Sequence, residues 1–219
     1  MSEARKKPLT TREKTRKLTM FSMFLTLELL LFLVPYLGYI PVGPINATTL
    51  HIPVILCAIF MGPGYGAGLG FVFGLSSLLK NTFMPTITSF VFSPFVEIGG
   101  LKGNGWSLWI AIGPRVLLGV IAYYLFIALA KAIKKPGLAA GIAAALSTFI
   151  HTLMVMGSIY LFFGKEYAQA RQVAESAVLG LIGGVIAVNG VAELIVSAIL
   201  VFAVYQVSKG FMKKRKTNA

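Results

Sequence analysis

The sequence predicts an all-α membrane protein: a six-transmembrane-helix bundle with both termini cytoplasmic and a long outer loop between helices three and four. Three observations predict it. Of 219 residues, 57% are hydrophobic and only 12% are charged, about half the charged share of a water-soluble domain. Apolar runs near or above the ~18 residues that favour a bilayer crossing recur from Leu18 to Val207, without the alternation of a membrane β-barrel. Lys and Arg gather where those runs end. Fifteen of the 20 lie in Arg5 to Lys17, at Lys131, Lys134 and Lys135, and in Lys209 to Lys216. Four lie on the opposite, outer side (Lys80, Lys102, Lys165, Arg171), and Arg115 lies within a helix. Such asymmetry puts the basic ends inside.

In chain order the prediction is a basic cytoplasmic tail over 1–17, a membrane domain over 18–208 and a second basic tail over 209–219. The helices are expected at 18–39, 47–61, 64–80, 106–130, 138–163 and 177–208. The first apolar stretch, Leu18 to Tyr39, is too long for the core of a cleavable signal peptide, and no small-x-small site follows it. Helices two and three are separated only by Gly62-Pro63. The third carries Gly62, Gly66, Gly70 and Gly74 at every fourth position, a face that lets another helix approach closely. The first outer loop, 40–46, holds Pro41, Gly43 and Pro44. The 81–105 loop is rich in Thr, Ser, Pro and Gly, yet carries Phe83, Met84, Phe90, Val91, Phe92 and Phe95, which predicts a folded cap over the outer mouth. Cys57 is the single cysteine and lies in an apolar run, so it is expected in the core.

The formal charge of +13 raises the question of nucleic acid. Its confinement to the ends of apolar runs points instead to inside anchors in contact with membrane lipid.

Polar side chains are costly inside a membrane and are functional candidates by default. At ~1.5 Å per residue, Arg115 lies roughly 14 Å below the outer helix ends, Glu28 about 16 Å, and His151 and Asn189 roughly 18 Å. Glu193 is one turn below Asn189 on the same face. Two readings stand: an Arg115 ion pair with Glu28 or Glu193 that only orders the bundle, or an Arg115 fork for a carboxylate or another planar acceptor. Asn46, Thr48 and Thr49 read either as helix caps or as part of a site. His51 is expected to bond backbone or helix partners.

Several chemistries are not signalled. There is no Gly-x-x-x-x-Gly-Lys-Ser/Thr phosphate loop, no metal-ligand spacing, no Gly-x-Ser-x-Gly and no Asp anywhere. A membrane hydrolase would need a nucleophile and base within hydrogen-bond reach, and only Ser147 and Ser158 lie close to His151 in sequence. No cofactor is expected.

The stretch Gly43-Pro44-Ile45-Asn46-Ala47-Thr48-Thr49-Leu50-His51-Ile52-Pro53-Val54-Ile55 resembles the substrate-binding (S) components of energy-coupling factor (ECF) transporters, the vitamin importers of prokaryotes. So do Gly62-Pro63 followed by Gly66-Ala67, Phe73-Gly74-Leu75-Ser76-Ser77-Leu78, Thr88-Ser89-Phe90-Val91-Phe92-Ser93-Pro94 and Gly103-Asn104-Gly105-Trp106-Ser107. The resemblance spans the whole membrane region and is strongest to the pantothenate branch, with a cobalamin carrier as the alternative. It implies a non-enzymatic, multi-pass subunit of the prokaryotic cell membrane. Such a subunit binds its vitamin at the outer face beneath loops one and three, and topples to carry it inward. It works with a transmembrane scaffold (T) subunit and two ATPases, which supply the energy. Family members usually carry Ala-x-x-x-Ala on the first helix where the scaffold docks; here Ser22-x-x-x-Thr26 stands near that place.

For pantothenate, a carboxylate with one amide and two hydroxyls, the expected site has Arg115 on the carboxylate. Asn189 and His151 would bond the amide or hydroxyls, Asn81, Thr82 and Thr86 would contribute from the third loop, and Trp106 would pack on the ligand. Asn46, Glu193 and Glu28 complete the candidates, with Arg115 leaning on Glu28 or Glu193 when no ligand is bound.

Overall fold

The computed structural model describes residues 10–217 apart from Pro35, Gly43 and Pro44, with the backbone alone described at 40–42, 45–47 and 210–217. Residues 1–9 and 218–219 of the predicted tails lie outside the described residues. Among the described residues the fold is all-α, apart from two short hairpins.

Helix α1 (Thr11–Leu33) begins earlier than predicted, because the basic tail contains its own start signal. The Thr10 hydroxyl accepts from the Glu13 N–H, and the Glu13 carboxylate accepts from the Thr10 N–H at 2.9 Å, a reciprocal capping box. That backbone donor holds the Glu13 carboxyl below its ordinary value. The helix also ends earlier, at Leu33 rather than residue 39. The predicted first loop, 40–46, and the residues on either side of it form an antiparallel hairpin: β1 (Tyr39–Val42) pairs with β2 (Ile45–Thr48), Tyr39 opposite Thr48.

Helix α2 (His51–Met61) is the centre of the bundle. Every residue from His51 to Ile59 is buried, as a helix apolar on all sides requires. Gly62 has φ of 102°, a conformation open to glycine, and Pro63 follows at the first position of α3 (Pro63–Phe83). The glycine stripe then seats α3 on α4 (Gly105–Ile133). A methyl at Gly66 would meet Ala58 on α2 and the Gly119 carbonyl; one at Gly70 would strike the Arg115 carbonyl; one at Gly74 would lie 2.8 Å from the Ile112 Cα. Close packing by small residues thus fixes the height of Arg115 against α3.

In place of the predicted 81–105 loop, α3 runs on to Phe83 and the connection to α4 covers 84–104. A 3-10 turn (Ser89–Val91) buries Phe90 and Val91 completely, and β3 (Glu97–Ile98) turns through Gly99 and Gly100 into β4 (Leu101–Lys102). Phe83, Met84 and Phe95 remain exposed. Asn104 and Ser107 form a capping box that starts α4, and the Ser107 hydroxyl also donates to the Phe90 carbonyl at 2.7 Å.

Helix α5 (Pro136–Ala170) continues about two turns past the predicted end, and the only irregular backbone inside it is at Phe163, the residue where the apolar pattern stops. The sixth predicted helix has three parts: α6 (Val178–Val185), a π-helical turn (Ile186–Gly190) and α7 (Val191–Thr217). Thus the second basic tail also begins as helix. Two cores result. One surrounds α2; the other, containing Phe90, Ile110, Ile159 and Phe163, lies under the 84–104 cap.

Among the described residues, three helical segments are long and apolar enough to cross a membrane: Gly105–Ile133, Pro136–Ala170 and Glu175–Lys209. Their outer faces match that medium. Val191, Ile195, Ile199 and Phe202, spaced three or four apart, are all exposed, a stripe unsuited to water but suited to lipid.

Candidate functional site

A cavity of about 210 Å³ lies between α3, α4, α5 and the π-turn, beneath the β1–β2 hairpin and the 84–104 cap. Its wall surface is mostly apolar, from residues such as Phe92, Val155 and Ile159, while about half of the lining residues are polar or charged and come from separate elements, a mix suited to a small polar ligand.

Arg115 enters from α4 and is buried. Its position follows from its neighbour in sequence. Pro114 has no N–H, so the carbonyl four residues back, at Ile110, loses its helical donor. Arg115 Nη1 donates to that carbonyl. The guanidinium lies between two aromatic rings, with its carbon 5.4 Å from the Phe73 centroid and 5.5 Å from that of Phe92. Phe73 also faces His151, at 6.1 Å between ring centroids.

The expected apo ion pair is not made. Glu28 is fully buried, but both of its carboxylate oxygens lack a partner, and it is not part of the cavity wall. Depth placed it correctly in one dimension only, since α1 packs against α2 and α3 rather than on the cavity. Glu193 does line the cavity, yet its carboxylate accepts the Thr48 N–H at 2.6 Å and so ties the hairpin to α7. His51 is likewise buried with both ring nitrogens unpartnered, against the expectation of a backbone bond.

Of the ten predicted site residues, Arg115, Asn189, His151, Asn81, Thr86 and Glu193 converge on this cavity. Asn189 sits in the π-turn; such a turn widens the helix by one residue and recurs at functional sites. Asn189 Nδ2, His151 Nε2 and Arg115 Nε are buried without protein partners; the Asn189 and Arg115 atoms are donors and call for a ligand that supplies acceptors, while the imidazole nitrogen can serve either role. Asn81 and Thr86 also hold the cap: the Ser89 hydroxyl donates to Asn81 Oδ1 at 2.7 Å and accepts the Thr86 N–H at 2.8 Å.

Two predicted contacts fall elsewhere. Thr82 bonds Ser93 at 2.7 Å and Leu78 at 2.8 Å, bracing the cap rather than lining the cavity. Trp106 stacks on Phe162 at 3.9 Å with planes 5° apart and is half exposed at the start of α4, outside the cavity wall. The Asn46 side chain lies outside the described residues. Ser22 and Thr26 lie on one exposed face of α1, where the Thr26 hydroxyl donates back to the Ser22 carbonyl at 2.8 Å.

Sequence reasoning missed Tyr39, Lys80, Tyr167 and Arg171 on the cavity wall. In the sequence Lys80 and Arg171 read only as charges on the outer side; that both stand at outer helix ends is the available signal. The hydrolase alternative finds no support in geometry, since Ser147 donates to the Ala144 carbonyl and His151 Nε2 has no partner. Among the described residues no group of three His, Cys, Asp or Glu converges on a metal position.

The model of the family described as "ECF transporter, substrate-specific component" matches residues 16–205. The chain is 38% identical over 162 residues to the "Pantothenic acid transporter PanT" of Lactococcus lactis subsp. cremoris, covering 74% of this chain and 76% of that protein. It is 27% identical over 205 residues to the "Pantothenate transporter PanT" of Leuconostoc mesenteroides subsp. mesenteroides, covering 89% and 92%.

Proposed function

The chain belongs to the ECF transporter substrate-specific components, and we propose that the vitamin it takes up is pantothenate. It is a substrate-binding transporter subunit, not an enzyme. The observation that carries the substrate assignment is Arg115, a buried guanidinium without a carboxylate partner in an otherwise mostly apolar cavity. A carboxylate accepting from it would remove the cost of an unpaired buried charge. Asn189 and His151 would bond the amide and hydroxyls, with Asn81 and Thr86 reaching from the cap side. The names carried by the two relatives agree with that chemistry. A corrinoid is several-fold bulkier than this cavity, which weighs against the cobalamin alternative.

In the membrane the proposed arrangement has six crossings and both termini in the cytoplasm. The last three helices are long enough unaided, and the basic residues before Leu18 and after Ser208 supply the inside anchors. The partners are a T subunit and two ATPases, with Ser22 and Thr26 on the docking face of α1. Direct titration of the purified protein with pantothenate, alongside mass spectrometry of any ligand that co-purifies, tests the substrate. Absence of pantothenate binding rejects it. New cysteines in each tail, labelled from one side of sealed vesicles, test the orientation; the native Cys57 is buried and will stay silent.

A further inference from the structure

We infer that Lys80 and Arg171 form a second anion subsite on the same cavity, outward of Arg115, which captures the substrate carboxylate before Arg115 does. This rests on the anionic substrate proposed above. Among the described residues three cations line the cavity, Lys80, Arg115 and Arg171, against the single carboxylate of Glu193. One monoanionic ligand needs one of them. The other two are not neutralised by carboxylates among the described residues: Lys80 Nζ lies 3.3 Å from the centroid of the Tyr39 ring, and the Arg171 guanidinium lies 5.6 Å from that of Tyr167. Arg171 Nε is buried without a hydrogen-bond partner.

Their place in the fold orders them. Lys80 is in the last turn of α3 and Arg171 is the C-cap of α5, whereas Arg115 is two to three turns into α4 from the same end. An anion entering between the hairpin and the cap therefore meets Lys80 and Arg171 first. Low-dielectric walls focus their field, and such focusing raises association rates by about 10- to 1,000-fold in a salt-dependent way. The aromatic faces hold both cations in place without quenching them.

The test measures association of radiolabelled pantothenate, and of its uncharged alcohol analogue pantothenol, with the full-length protein in nanodiscs at low and high salt. For Lys80→Gln/Arg171→Gln the expected result is a pantothenate on-rate reduced about tenfold or more at low salt. Its salt dependence should flatten, while the pantothenol on-rate stays unchanged. Lys80→Arg, which keeps the charge, should retain the wild-type rate. An unchanged pantothenate on-rate in the double variant overturns the subsite, as does an equal loss for both ligands, which would mark a purely structural role. Wild-type protein that binds no pantothenate at all overturns the substrate assignment itself, and this inference with it.

Discussion

Arg115 Nη1 is bonded to the main-chain carbonyl of Ile110, the acceptor that Pro114 leaves without a helical donor. One residue creates the free carbonyl and the next in sequence uses it, so the helix itself anchors the guanidinium and no acidic partner is required. A carboxylate partner would compete with an anionic ligand; a neutral carbonyl leaves the charge available.

Pro114→Ala should therefore separate stability from binding. The restored N–H can bond Ile110, and the helix regains an interior hydrogen bond whose loss to proline costs about 3 kcal/mol in a soluble helix. The melting temperature should rise. Pantothenate affinity should fall roughly tenfold, because Arg115 loses its tether. Thermal unfolding and calorimetric titration of the same preparation read both effects.

Arg115→Ala should weaken pantothenate binding roughly 10- to 150-fold, the range expected for a hydrogen bond to a charged group. The ligand-free protein should be no less stable, since an unpaired buried cation is removed. Near-unchanged affinity would take Arg115 out of the site.

Much of this was legible in the sequence, because a membrane makes composition speak. Apolar runs located the helices, and the cost of polar groups singled out Arg115, His151, Asn189 and Glu193, all of which reach one cavity. Glu28 shows the limit of that argument: helical rise gives depth, but which neighbours face a residue depends on packing. The hairpin at Tyr39 to Thr48 was read as helix ends and loop because it carries the same apolar residues as its flanks. The π-turn at Asn189 depends on one extra residue per turn, which no hydropathy pattern records. Lys80 and Arg171 read in the sequence only as charges on the outer side, and only the three-dimensional path of α3 and α5 brings them to the cavity.

Ser22→Leu/Thr26→Leu should leave pantothenate binding intact and abolish association with the T subunit and ATPases. Both residues are exposed, and the Thr26 hydroxyl is already satisfied by its own helix, so small size rather than polarity is what the face offers to a partner helix. Co-purification of the assembled transporter checks this; undiminished assembly would move the docking face elsewhere.

Gly70→Ala should lower stability by about 1–3 kcal/mol, the usual cost of overpacking, and should weaken binding in the same step. Its new methyl would meet the Arg115 carbonyl, so α3 and α4 must part at the height of the site. Gly68→Ala is the control. Its methyl would find only the Phe21 ring tip, at 3.9 Å, and the change should stay within about 0.5 kcal/mol.

Glu193 joins two parts of the site that the sequence keeps far apart. Its carboxylate lines the cavity wall from α7 and accepts the Thr48 N–H at the end of the hairpin. Glu193→Ala removes that acceptor and should let the hairpin open, with exchange of the Thr48 amide accelerating by about tenfold or more and pantothenate dissociating faster. Glu193→Gln keeps a carbonyl oxygen in the same place and should preserve slow exchange. It also removes the cavity's only carboxylate among the described residues, so anionic ligands should bind it at least as tightly as wild type. If the Gln variant instead exchanges as fast as the Ala variant, the negative charge rather than the hydrogen bond holds the hairpin, and opposing charge on that segment becomes the element to seek.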